Sequence, residues 1–375
     1  MTKLLFPRFC AALWLAGALL AASAPAGGRW GAQYFYDEDK SSLTINDLAF
    51  PSAQRGVAVG YISEQSKIRP TAVVTGDGGA HWSLVPVKET GLSVFFLNDS
   101  LGWMVTQKGI WQTEEAGHSW HKLPGAPKDL LRVYFLDEQH GFAAGLEKSV
   151  YETSDGGKTW TRVAAAAKPE TTAKYTVYNV IEFVGQRTGM IAGFSQPPRK
   201  DEEFSPDWLD PQKAMTRPEL PHLSISLDTH DGGKTWTSST ASMFGRITRA
   251  RMLPNGTGLG LVDFSEAFVY PAEVFRFDLK TGKSDRVFRE KNRAVTDIAL
   301  LPGGSAILAA VEVPGRVRVA SVPNKLKMLR SADLARWEEM DVDYRATARR
   351  AILAVVDARH MWVATDTGMI LKLEP

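Results

Sequence analysis

Cysteine is almost missing from this chain. Cys10 is the single one in 375 residues, and it lies in an N-terminal stretch that reads as a removable leader. A disulfide framework and a thiolate metal site are therefore both excluded from the remainder. Long apolar runs are also scarce. The one at the start, from about residue 10 to 20, follows the basic residues Lys3 and Arg8. It precedes Ala22, Ser23 and Ala24, a small-x-small pattern suited to a signal peptidase. The run is shorter than the ~20 residues a membrane span needs. Residues 1–24 are thus expected to be a signal peptide and 25–375 one exported domain, periplasmic or extracellular, with no transmembrane anchor. Cys10 does not follow a small-residue cleavage site, which argues against a lipid anchor.

Excess charge is lacking as well. Lys and Arg number 44 against 42 Asp and Glu, and the leader removes two of the basic residues, Lys3 and Arg8. A neutral domain has no basic footprint for nucleic acid. The seven histidines are scattered, with His118 and His121 the closest approach to a paired spacing, so no metal is expected. Gly157-Lys-Thr and Gly233-Lys-Thr lack the upstream glycine of a phosphate loop. No cofactor is expected.

What the chain does have is a repeat. Four octets share the pattern Thr-x-Asp/Glu-x-Gly-x-x-Trp. The first carries Thr75, Asp77, Gly79 and Trp82, and the second Thr113, Glu115, Gly117 and Trp120. The third has Thr153, Asp155, Gly157 and Trp160, and the fourth Thr229, Asp231, Gly233 and Trp236. A shortened copy runs from Ser331 through Asp333 to Trp337. Each octet reads as a tight turn, in which the carboxylate accepts backbone N–H bonds and glycine allows the turn. The tryptophan then returns the chain to an apolar layer. Short β-rich runs precede the octets, and strand-turn-strand segments precede those. Four strands in about forty residues make one blade of a propeller.

First strands begin near Thr44, Leu92, Leu131, Tyr178, Ile247, Val295 and Ala351, which predicts an all-β, seven-bladed propeller of four-stranded antiparallel blades. The wide gap between the third and fourth octets reads as an insertion, 196–221, within blade four, with Trp208 at its middle. The last blade has three strands of its own. An N-terminal strand near Gln33–Tyr36 is expected to complete it and so protect an edge.

On these residues the chain resembles the Asp-box, or bacterial neuraminidase repeat (BNR), propellers. The longer module, with Gly102-Trp103 or Gly141-Phe142 ahead of the strand and Asp-Gly-Gly-Lys-Thr-Trp after it, is similar to the photosystem II stability/assembly factor-like proteins. That resemblance implies a scaffold that binds protein and assists assembly of a membrane complex. Asp-boxes also occur in sialidases, which implies a second class, a glycan-active hydrolase or glycan-binding protein. Against it, Lys67-Ile-Arg-Pro70 only echoes the sialidase Arg-Ile-Pro signature, and no arginine triad maps by motif.

Two surfaces are candidates for function. Aligning first strands on their apolar cores puts Asn46, Ser93, Arg132, Asn179, Arg249, Asp297 and Ile352 at one level, with Arg251 and Arg350 nearby. Such a polar ring would line the ligand mouth, or would simply mark strand ends meeting water. The insertion, with acidic and bulky apolar groups around Trp208, would emerge on the same face. Paired carboxylates of a glycosidase would come from Asp47, Glu182 and Asp297. The octet residues are expected to be structural.

Overall fold

The computed structural model describes residues 28–197, 221–265, 268–313 and 324–375. The leader, Cys10 and most of the insertion, Trp208 included, lie outside the described residues.

The strands follow one another in chain order within their sheets. After β1 (Arg29–Phe35), sheet one holds β2 (Ser41–Ala49), β3 (Gly56–Glu64), β4 (Lys67–Thr75) and β5 (Ser83–Pro86). Sheet two holds β6 (Gly91–Phe96), β7 (Gly102–Thr106), β8 (Gly109–Thr113) and β9 (His121–Lys122). Sheet three holds β10 (Leu130–Phe135), β11 (Gly141–Gly145), β12 (Val150–Thr153) and β13 (Thr161–Arg162). Two 3-10 turns, η1 (Ala164–Ala167) and η2 (Ala173–Tyr175), lead into sheet four: β14 (Thr176–Val184), β15 (Thr188–Ser195), β16 (His222–Thr229) and β17 (Thr237–Met243). Sheet five holds β18 (Arg246–Met252), β19 (Thr257–Asp263), β20 (Ala272–Asp278) and β21 (Lys283–Arg289).

The remaining strands are β22 (Arg293–Leu300), β23 (Ala306–Glu312), β24 (Leu326–Ser331), β25 (Glu338–Val342), β26 (Ala351–Val355), β27 (Met361–Thr365) and β28 (Met369–Glu374). They join β1 in one eight-stranded sheet, ordered β22-β23-β24-β25-β1-β28-β27-β26. Its β1 runs antiparallel to β28 over its length and meets β25 in parallel at Arg29 and Trp30. It starts four residues before the predicted Gln33. The first strands β2, β6, β10, β14, β18, β22 and β26 each neighbour the next, and β26 neighbours β2 again. The architecture is all-β and propeller-like.

Second strands are largely apolar because both faces are covered by neighbouring sheets. Every residue of β7, β11 and β27 is buried. One aromatic arrangement recurs where sheets meet. Trp103 of β7 stacks on Phe135 of the next sheet at 3.6 Å and 6°, and Trp160 of the third octet meets the same ring edge-on at 82°. Trp362 and Trp82 hold Phe50 in the same way, at 6° and 79°. Each such pair adds roughly 0.5–1.5 kcal/mol beyond burial. The glycine at the start of a second strand makes room for the phenylalanine of the first strand before it. A Cβ on Gly141 would stand 2.6 Å from the Phe135 ring, and one on Gly189 2.2 Å from Phe183. This gives the Gly-aromatic part of the repeat its physical role.

Candidate functional site

The inner strands share a feature that sequence alignment does not register. In β2 the pairing passes from Ile45 opposite Gly60 to Asp47 opposite Val59, so Asn46 is an extra residue. The same one-residue bulge falls at Leu92 in β6, Leu131 in β10 and Asn179 in β14. It recurs at Thr248 in β18 and Thr296 in β22. A bulge bends its strand and frees a residue from the ladder.

This corrects the single polar level. Asn46 and Asn179 are bulge residues, whereas Ser93, Arg132, Arg249 and Asp297 come one position later. Ile352 stays on the ladder opposite Ala364 and is buried. The bulge residues tie sheets together. Asn46 Nδ2 donates to Gly91 O at 2.8 Å, and Asn179 Nδ2 to Ile247 O at 3.2 Å. Thr296 Oγ1 donates to Ala351 O at 3.0 Å.

The three carboxylates considered for acid-base work fasten the same junctions. Asp47 accepts from Val94 N of sheet two at 3.0 Å and from Leu48 N at 3.1 Å. Glu182 accepts from Met252 N of sheet five at 3.4 Å. Asp297, 1% exposed, accepts from Ile298 N and, across the junction, Leu353 N, both at 2.9 Å. Each also meets an arginine: Arg132 with Asp47 at 3.4 Å, Arg249 with Asp297 at 3.2 Å, and Arg251 with Glu182 at 3.4 Å. Burial raises the Glu182 carboxyl above its ordinary value, with Arg251 opposing.

Asn46, Arg132, Asn179, Arg249 and Arg350 come together around a cavity of ≈ 290 Å³, floored by Leu92 and Leu131. Of the predicted ring, four residues line it. Asp297 lies beneath Arg249, and Arg350, two residues off the predicted level, joins the wall. Arg350 donates to Asn46 O at 2.7 Å and, among the described residues, has no carboxylate at ion-pair distance. Of the three arginines lining the cavity, Arg132 and Arg249 face Asp47 and Asp297, and Arg350 is the one without a carboxylate partner among the described residues. Burial, reinforced by the Arg249 and Arg350 cations and opposed by Asp47, pulls the Arg132 guanidinium down to about 10. It remains a cation at neutral pH. Asn179 Oδ1, at the cavity, and Ser93 Oγ are buried without a hydrogen-bond partner among the described residues.

The octets sit between third and fourth strands, as expected, but the threonine is their hub. Thr153 Oγ1 accepts from Gly157 N at 2.9 Å and Asp155 N at 3.4 Å, and donates to Asp155 Oδ1 at 2.9 Å. Asp155 in turn accepts from Thr159 N and Oγ1 at 2.9 and 2.6 Å. Thr229 and Asp231 repeat these bonds, and Thr75 and Asp77 differ only in facing His81. Glu115 reaches Ser119 Oγ, at 2.7 Å, through its longer side chain. The indole N–H of Trp82, Trp120 and Trp160 returns to the octet's own glycine carbonyl, of Gly79, Gly117 and Gly157, at 2.9–3.1 Å. Trp236 Nε1 has no partner among the described residues. The shortened copy is a working turn too. Ser331 Oγ accepts from Leu334 N at 2.8 Å, and Leu334 takes the left-handed conformation in place of glycine.

Fold and site define an all-β, propeller-like protein with Asp-box turns and a polar, arginine-bearing mouth. Residues 126–198 match the family model described as photosynthesis system II assembly factor YCF48. Over 142 residues the chain is 27% identical to the photosystem II assembly lipoprotein Ycf48 of Synechococcus sp. (strain CC9902). That match covers 34% of this chain and spans 41% of the length of the curated relative. A solved structure of YCF48 bound to D1 peptide superposes with a TM-score of 0.61 at 17% identity, covering 94% of this chain and 97% of that one. YCF48 from Cyanidioschyzon merolae gives 0.58 at 15% identity, covering 92% and 99%. The chain resembles these BNR-type assembly-factor propellers. No helix among the described residues is long and apolar enough to cross a membrane.

Proposed function

We propose that this chain is an exported, seven-bladed propeller that binds a protein partner at its mouth and assists assembly, stability or transport of an envelope or membrane complex. Seven blades are supported by the strand order and by the return of β26 to β2. Closure by the N-terminal strand is supported by the β1–β28 ladder. A periplasmic site is supported by the leader pattern.

The observation that carries the binding role is the mouth itself. Three of its arginines are balanced by carboxylates already engaged with backbone, and Arg350 is left for an anionic or carbonyl group of a ligand. An extended peptide with an acidic group suits a cavity of ≈ 290 Å³ with that lining. The glycan-hydrolase alternative has weaker support, because Asp47, Glu182 and Asp297 commit their oxygens to sheet junctions. The strand ends that flank the insertion, at Ser195 and His222, lie at the end of sheet four where β14 begins.

The test is affinity capture from envelope extract. It compares the mature protein with Arg132→Ala/Arg350→Ala, whose fold is checked by circular dichroism. A defined exported or membrane protein held by the first and lost by the second supports the reading. Capture unaffected by the substitutions would move the site away from the mouth. Absence of any partner would count against the scaffold role.

A further inference from the structure

Outer strands leave an unpaired edge on each sheet, and natural sheets guard such edges with short strands, charge, proline or bulges. Most outer strands here are guarded. The strand β5 is four residues long and ends in Pro86, and β9 and β13 have two residues each. The edge of β25 receives β1. The edge of β21 carries Lys283, Asp285, Arg286 and Arg289, and its ladder slips between Val274 and Phe275.

The strand β17 has none of these devices. Its sequence, Thr-Ser-Ser-Thr-Ala-Ser-Met over Thr237–Met243, holds no charge and no proline. It pairs with β16 through seven consecutive residues without a slip. Five of the seven residues are exposed, and among the described residues no strand takes its outer edge. The turn η1 packs against this sheet, with Ala165 and Ala166 among Tyr178, Ile225 and Leu227, and touches β17 without adding a strand to it.

Charge decides which occupant fits. Consider each long outer strand paired antiparallel with its own copy about a two-fold axis at its centre. For β21 this sets Arg286 against Arg286 and Lys283 against Arg289. Like charges directly opposite destabilise a ladder. For β17 the axis falls at Thr240. Thr240 then faces Thr240, Ser239 faces Ala241, Ser238 faces Ser242 and Thr237 faces Met243. No like charges meet, and a threonine pair lies at the centre. The geometry points to β17 as a self-association edge, on which a second copy of this chain pairs antiparallel about Thr240. An isologous contact of this kind closes at two copies. Elsewhere the molecule covers part of an outer edge itself, where β1 meets β25 in parallel at two residues.

Sedimentation velocity of the mature chain, from low to high micromolar concentration, tests this independently of any partner at the mouth. A reversible monomer–dimer equilibrium is expected. In Ser239→Lys/Ala241→Lys the axis brings two pairs of lysines opposite each other, and the dimer should weaken by about tenfold or more. In Ser239→Lys/Ala241→Glu the same axis sets each lysine against a glutamate, so dimerisation should persist and become sensitive to salt. Ser239 and Ala241 are both exposed, and circular dichroism confirms the fold of each variant. A monomer at every concentration overturns the proposal, as does a dimer indifferent to the double lysine. Loss of the dimer in both variants overturns the pairing about Thr240.

Discussion

Replacing Asp297 by alanine would remove one carboxylate that serves three neighbours at once. Its oxygens accept from Ile298 N and Leu353 N at 2.9 Å each and face Arg249 Nε at 3.2 Å, with the side chain 1% exposed. Alanine leaves two buried N–H groups without acceptors and strips Arg249 of its counter-charge. Breaking a buried pair from one side typically costs about 3–5 kcal/mol. Against an ordinary stability of about 5–15 kcal/mol, that is a large fraction. An asparagine keeps one acceptor oxygen and the shape of the side chain, so Asp297→Asn should cost less, about 1–3 kcal/mol. Urea unfolding measures both, with Asp285→Ala as the control. Asp285 pairs with Arg276 at the surface, where loss of an ion pair costs at most about 1 kcal/mol. An Asp297→Ala protein within about 1 kcal/mol of the parent would refute the junction role and reopen Asp297 as a group held for chemistry.

Three further outcomes follow from the same bonds. Thr153→Val, nearly isosteric, leaves Gly157 N without its acceptor and should lower stability by about 1–3 kcal/mol, read by calorimetry. Hydrogen bonds from Thr159 and Thr235 hold the carboxyls of Asp155 and Asp231 down to about 2, so their support is complete above the unfolded value near 4 and is lost as pH falls through about 2. An Asp155→Asn/Asp231→Asn variant should therefore show a flatter acid-unfolding curve. Asp263 behaves oppositely. Burial pushes its carboxyl up to about 6, so its ionisation costs stability as pH rises from about 4 to 6. Asp263→Asn should be more stable than the parent at pH 8, by up to about 2 kcal/mol, and equal to it near pH 4, in paired denaturant titrations.

The octets were legible because their geometry is local. Thr153 reaches Gly157 four residues on, so the spacing of side chains in the chain is the spacing in the turn. First-strand positions and the placement of 196–221 between β15 and β16 were legible for a related reason, since each sheet is built from consecutive strands. The bulge was not. One extra residue in an apolar run leaves the run looking regular, and alignment on Val, Ile and Phe set Asn46 level with Arg132 when the ladder separates them by one. The carboxylate clamps were equally hidden. Asp47 meets Val94 and Glu182 meets Met252, partners supplied by the next sheet, and no pattern within one repeat announces them. Only a comparison of repeats at the bulge would have signalled them, through the acidic residues that follow it at Asp47 and Asp297.

On the proposed reading, stability and recognition meet in the same side chains at the mouth. Asp47, Glu182 and Asp297 hold adjacent sheets together by accepting backbone N–H groups, and those bonds fix the carboxylates where they face Arg132, Arg251 and Arg249. Three cations are thereby positioned and neutralised without being free to follow a ligand. Arg350 differs, because its guanidinium rests on the carbonyl of Asn46 rather than on an acid. Burial is the main cause of the lowered Arg132 value, and the Arg249 and Arg350 cations add to it. An incoming anion would pair with Arg350 without displacing any clamp, so on the proposed reading it binds without loosening the inner strands. One cation without a carboxylate partner inside a rigid rim suits a single acidic group. A polyanion would need a run of free cations, and here three of the four arginines are already taken.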